Sequence, residues 1–126
     1  MVGGDGIDYM YGEDGDDTFY GGNGPNHMYG GDGNDTFTGG EGYDYIEGGA
    51  GDDTMNGGNG YNVMHGGDGS DHIYGGEHAD HIYGDEGDDY LYGGNGNNMI
   101  RGGTGNDTIY DGDDASYIYG DEGDDV

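Results

Sequence analysis

No cysteine occurs among the 126 residues, and Lys and Arg together contribute one residue, Arg101. Without cysteine, no disulfide can brace the chain and no thiolate can hold a metal. With 29 acidic residues the formal net charge is -28. That sign excludes nucleic acid and anionic membrane surfaces as partners. No apolar run is long enough to cross a bilayer, so membrane insertion is not expected either. Serine is confined to Ser70 and Ser116, neither of which sits in a nucleophile elbow. Paired carboxylates abound, but their spacing places them along turns rather than around a pocket. The residues therefore name no catalytic group, and an enzyme is not expected.

What the chain does have is glycine, 36 residues of it. Counted in nines from Gly3, thirteen full units and one partial unit run to Val126 without insertion or deletion. The best-preserved form reads Gly-Gly-x-Gly-x-Asp-x-apolar-x, as in Gly30 to Thr38 (GGDGNDTFT) and Gly102 to Tyr110 (GGTGNDTIY). Glycine fills positions one, two and four in 13, 11 and 12 of the 14 units. Because glycine accepts positive φ without steric cost, all three positions are expected to form a tight turn. Position six is Asp8, Asp17, Asn26, Asp35, Asp44, Asp53, Asn62, Asp71, Asp80, Asp89, Asn98, Asp107, Ser116 and Asp125 in turn. Position eight is apolar in every full unit, from Met10 and Phe19 to Ile109 and Ile118. Each nonad thus reads as a six-residue polar turn and a three-residue strand whose middle residue points inward. So short a fixed period means a solenoid, in which no unit is stable alone and each must stack on its neighbours. Residues 1–126 are read as one such domain.

One inward side chain per nonad is little apolar surface to set against the entropy of ordering a glycine-rich chain. Repulsion among the carboxylates widens the deficit. A chain this polar and this charged is expected to be disordered by itself. A hard cation bound in the turns would both neutralise them and supply the missing free energy. Aspartate side chains and turn carbonyls offer oxygen only, which suits Ca²⁺, Mg²⁺ or Mn²⁺ rather than zinc or copper. Flexible glycine turns favour Ca²⁺, which accepts irregular coordination, over Mg²⁺, which demands an octahedron. The five histidines show no fixed ligand spacing and read as surface residues.

These nonads resemble the repeat-in-toxin, or hemolysin-type, calcium-binding repeat, over residues 3–126. The resemblance implies an all-β fold, a parallel β-roll solenoid with two nonads per turn, about seven turns, and multiple Ca²⁺ ions held between stacked turns. It also implies that position-six residues two nonads apart share an ion with turn carbonyls. Carried over, Asp17, Asp35, Asp53, Asp71, Asp89, Asp107 and Asp125 line one edge. Asp8, Asn26, Asp44, Asn62, Asp80, Asn98 and Ser116 line the other, and all of these except Ser116 are the expected metal ligands. Members of the family are exported and fold outside the cell, so a secreted, extracellular setting is expected. Extracellular calcium modules also work at the millimolar concentrations that weak sites need.

A longer period lies inside the short one. On the second edge Asn replaces Asp at every fourth nonad, and position three alternates in step: Asp5, Asn23, Glu41, Asn59, Glu77, Asn95, Asp113. Position five of the first edge runs Asp16, Asn34, Asp52, Ser70, Asp88, Asn106, Asp124. The larger unit is therefore 36 residues, or two turns. Fewer charged ligands on the second edge point to weaker binding there. Nonads nine (His78 for Gly) and thirteen (DGDDASYIY) depart from the pattern. Open strand edges at the ends of the stack invite end-to-end self-association. A competing function is an adhesive or ligand-binding module. In it the outward Tyr rows, or the row Thr18, Thr36, Thr54 and Thr108, would meet glycan or ice, and Ca²⁺ would be purely structural. Tyr and Thr are equally the residues that favour strands and cover a thin sheet.

Overall fold

An apolar side chain at every ninth residue forms one core only if successive strands alternate between two facing sheets. The computed structural model describes residues 1–112 and 114–126, leaving Asp113 of the second edge outside. One sheet holds, in spatial order, β1 (Val2–Asp5), β3 (Thr18–Asn23), β5 (Thr36–Glu41), β7 (Thr54–Asn59), β9 (His72–Glu77), β11 (Tyr90–Gly94) and β13 (Thr108–Tyr110). The other holds β2 (Asp8–Asp14), β4 (Asn26–Asp32), β6 (Asp44–Ala50), β8 (Val63–Asp68), β10 (His81–Glu86), β12 (Met99–Thr104) and β14 (Tyr117–Glu122). Every pairing is parallel, in registers such as Phe19↔Phe37, Met28↔Ile46 and Ile82↔Ile100. Partners lie two nonads apart. The fold is an all-β parallel roll of about seven turns, with two nonads in each.

The strands are longer than the sequence suggests. Thr18–Asn23 runs through positions seven to nine and on through the first three residues of the next nonad. Most other strands do the same, so only positions four to six turn. The residues at positions one to three stay in the ladder, as Gly22 does with Gly40, and Asp85 with Gly103 where position two is not glycine.

The three glycines also divide their labour, which the repeat alone does not reveal. Glycines at positions two and four take positive φ, as at Gly22 (99°) and Gly24 (103°), with Gly112 the exception. Position one does not. Its glycine is needed for space: a Cβ on Gly12 would stand 2.5 Å from the carbonyl oxygen of Gly30 and 2.7 Å from Asp17 Oδ2. Four residues that replace glycine at these positions keep the same twist and are strained by it. Glu13 (75°), Asp85 (75°) and Asp121 (72°) do so at position two, and His78 (84°) at position four.

The core is a single file of position-eight side chains from Met10 to Ile100, all buried, with Phe19 and Phe37 stacked at 4.6 Å. Ile109 packs against them half-buried. Ile118, expected to point into the core with the rest, is 48% exposed. It lies on the last strand of its sheet, so Ile100 covers it on one side only.

Candidate metal centre

Each turn delivers its position-six residue to the same point beside the core, one above another along the stack. On the first edge the backbone N–H of each Asp donates to Oδ1 of the Asp one turn further on. Asp17 reaches Asp35, Asp35 reaches Asp53 and Asp53 reaches Asp71, each at 2.7 Å. Asp71 to Asp89 follows at 2.8 Å, then Asp89 to Asp107 and Asp107 to Asp125 at 3.0 Å. One oxygen of each carboxylate from Asp35 onward is thereby satisfied. The other is not: Oδ2 of Asp35, Asp53, Asp71, Asp89 and Asp107 is buried without a partner. A buried, unpaired carboxylate oxygen is costly. Burial accordingly pushes the Asp53 carboxyl up to about 6 and those of Asp71 and Asp89 up to about 7. The incoming amide bond opposes the rise and neighbouring carboxylates add to it. Asp35 and Asp107 are raised for the same reason.

The second edge repeats the ladder with mixed chemistry. Asn26 donates its N–H to Asp44 Oδ1 (2.9 Å), Asp44 to Asn62 Oδ1 (3.1 Å) and Asn62 to Asp80 Oδ1 (2.8 Å). Asp80 then reaches Asn98 Oδ1 and Asn98 reaches Ser116 Oγ, both at 2.9 Å. Asp8 stands off the ladder, its N–H bonding the Pro25 carbonyl at 3.3 Å. Again Asp8, Asp44 and Asp80 each leave Oδ2 buried and unpartnered. Burial lifts Asp80 to about 7, against the hydrogen bonds from Asn62, and raises Asp44 against those from Asn26.

All thirteen expected ligands therefore stand in two files, one per edge. Asp8, Asp17 and Asp125, in the end turns, are half-buried, and the other ten are buried. Two sets of groups are easily missed from the sequence. The position-four carbonyls of Gly15, Gly33, Gly51, Gly69, Gly87 and Gly105 each point at the turn that follows. Their role is legible only in that each faces another glycine across the gap. Position five forms an outer ladder on the first edge: Asn34 N–H to Asp16, Asp52 N–H to Asn34 and Ser70 N–H to Asp52, at 2.8–3.0 Å. Its signal was the alternation of Asp with Asn or Ser at that position.

Among the described residues no three His, Cys, Asp or Glu side chains converge on one point. An ion between turns would have to draw on carbonyls as well as on the aspartates. That donor set is hard oxygen throughout, with a buried oxygen in most turns that lacks a partner, and it fits calcium. The histidines do not gather: His65 pairs with Asp85 at 3.1 Å and stacks on Tyr83 at 4.4 Å. The outward aromatics pair mainly with each other, as in Tyr9 on His27 (4.7 Å) and Tyr11 on Tyr29 (5.1 Å).

A family model described as the RTX calcium-binding nonapeptide repeat matches the chain in four copies, over residues 1–28, 29–64, 65–100 and 92–126. The two inner copies are 36 residues each, the same two-turn unit seen in the Asp/Asn alternation. No curated protein matches the chain.

Proposed function

The chain belongs to the RTX calcium-binding nonapeptide repeat family, and we propose that it is a non-catalytic module that folds when calcium enters between its turns. The observation that carries this reading is the file of buried Oδ2 atoms without partners along both edges. Stacking the turns forces these carboxylates out of water and next to each other. Nothing in the chain repays that cost, since one basic residue serves 29 acidic ones. Ca²⁺ supplies the positive charge and the oxygen coordination that the turns require. The ligands are Asp8, Asp17, Asn26, Asp35, Asp44, Asp53, Asn62, Asp71, Asp80, Asp89, Asn98, Asp107 and Asp125, completed by turn carbonyls. Their binding free energy becomes folding free energy. A protein of this kind is suited to secretion, because it stays unfolded where calcium is scarce and orders where calcium is millimolar.

The test is far-UV circular dichroism during a calcium titration of the chelator-treated protein, with magnesium as control. A coil-to-sheet transition with Ca²⁺, absent with Mg²⁺ at equal concentration, is expected. A full sheet signal in chelator, unchanged by calcium, would sink the reading.

A further inference from the structure

We propose that Asn26, Asn62 and Asn98 are built-in substitutes for bound cations, so that their edge recruits calcium at alternate gaps while the all-Asp edge recruits it at each. The inference rests on the calcium-binding reading and assigns how the ions are distributed.

Asn and Asp occupy the same place in the turn. A Cβ on Gly12 or Gly75 would stand 2.7 Å from Oδ2 of Asp17 or Asp80 respectively. A Cβ on Gly21, Gly57 or Gly93 would stand 2.5–2.7 Å from Nδ2 of Asn26, Asn62 or Asn98. Thus a hydrogen-bond donor sits in the Asn turns where an orphaned acceptor sits in the Asp turns. That donor is used. Asn26 Nδ2 bonds the position-four carbonyl of Gly24 at 2.9 Å and Asp44 Oδ1 at 2.8 Å. Asn62 Nδ2 bonds the matching carbonyl of Gly60 at 3.3 Å. Asn98 Nδ2 bonds Asp111 Oδ1 at 2.9 Å. Carbonyl and carboxylate oxygens are the groups a calcium ion would take. Here the amide's positive edge takes them instead.

The gaps then fall into two kinds. Those from Asn26 to Asp44, Asn62 to Asp80 and Asn98 to Ser116 begin at a turn that carries its own amide donor. Those from Asp8 to Asn26, Asp44 to Asn62 and Asp80 to Asn98 begin at an Asp whose Oδ2 has no partner. The first of these holds a second orphan, Asn26 Oδ1. Charge follows the same division: the turns at 21–26, 57–62 and 93–98 contain no acidic residue, so they bring no repulsion for an ion to relieve.

Bound calcium per chain, measured by equilibrium dialysis and by mass spectrometry of the native protein, tests this in both directions. The triple variant Asn26→Asp, Asn62→Asp, Asn98→Asp should gain about three ions at saturation. The triple variant Asp35→Asn, Asp71→Asn, Asp107→Asn gives the other edge the same alternation and should lose about three. The second variant keeps its ladder, since Asn Oδ1 already accepts the amide bond at Asn62 and Asn98. It should also hold more sheet signal in chelator than the parent does. Equal calcium uptake by all three proteins would overturn this inference alone. No calcium uptake by the parent would overturn the underlying function with it.

Discussion

At the scale of single residues, the repeat is best understood as two different demands, spread over three positions and met by one amino acid. Position one of the nonad requires the absence of a Cβ, because the carbonyl of the next turn and the position-six side chain fill that space. Positions two and four require positive φ. The sequence makes glycine visible at all three but cannot separate close approach from backbone twist, since glycine answers both. The exceptions separate them. Glu13, Asp85 and Asp121 replace glycine at position two at the cost of backbone strain, although at Gly22, Gly31 and Gly40 in the same position a Cβ would stand 2.0–2.5 Å from the carbonyl oxygen of the preceding turn. His78 does so at position four. At position one the sole exception is Asp111. It follows that Glu13→Gly should stabilise the calcium-loaded roll by about 1 kcal/mol, the low end of what an unfavourable backbone region costs. Thermal unfolding at saturating calcium measures it. Asp85→Gly should gain less, because it also loses the His65 contact. A fall in the midpoint for Glu13→Gly would show that position two is not strained.

At the scale of elements, most of what forms the strands was legible. Period nine with an apolar residue at position eight fixes which side chain faces inward, and the 18-residue register follows once strands alternate between two sheets. The length of the strands was not legible. The pattern of polar residues ends each strand at position nine, yet the glycines that follow continue the ladder, because glycine carries no hydropathy signal for either state. Ile118 departs for a related reason: position eight specifies a direction, whereas burial depends on cover, and no strand of the facing sheet follows β14 as β3 follows β2 and its buried Met10. The core is thin, one side chain per strand, so each is a large share of it. Phe37→Ala, which also breaks the stack with Phe19 at 4.6 Å, should cost about 3–5 kcal/mol in the calcium-loaded state. Denaturant unfolding in calcium gives the value. In chelator the same variant should match the parent's circular dichroism, because a chain that is not folded has no core to lose. A difference between the two in chelator would mean that sheet structure precedes the metal.

For the molecule as a whole, the proposed function makes the metal-free state depend on the carboxylates that stacking buries. The candidate ligands were legible from position six alone. What that position could not convey was that one oxygen of each interior Asp is spent on the preceding turn's backbone and the other is left without a partner. The consequence appears in the dependence on pH. In the stacked state burial raises Asp53 to about 6 and Asp71, Asp80 and Asp89 to about 7, from an ordinary value of 3.8. A carboxyl whose folded value lies above its unfolded value favours folding when protonated. Its penalty is therefore absent below about pH 4, grows as pH rises to about 7, and is constant beyond that. In chelator, acidification from pH 8 to pH 5 should increase the sheet signal, with protons doing part of what calcium does. Calcium affinity should move the opposite way and fall on acidification, because the ion must displace those protons to bind. Circular dichroism at dilute protein concentration, with and without chelator across this range, reads both trends. If the chelated chain lost order toward pH 5, the buried carboxylates would not be what holds the metal-free roll open.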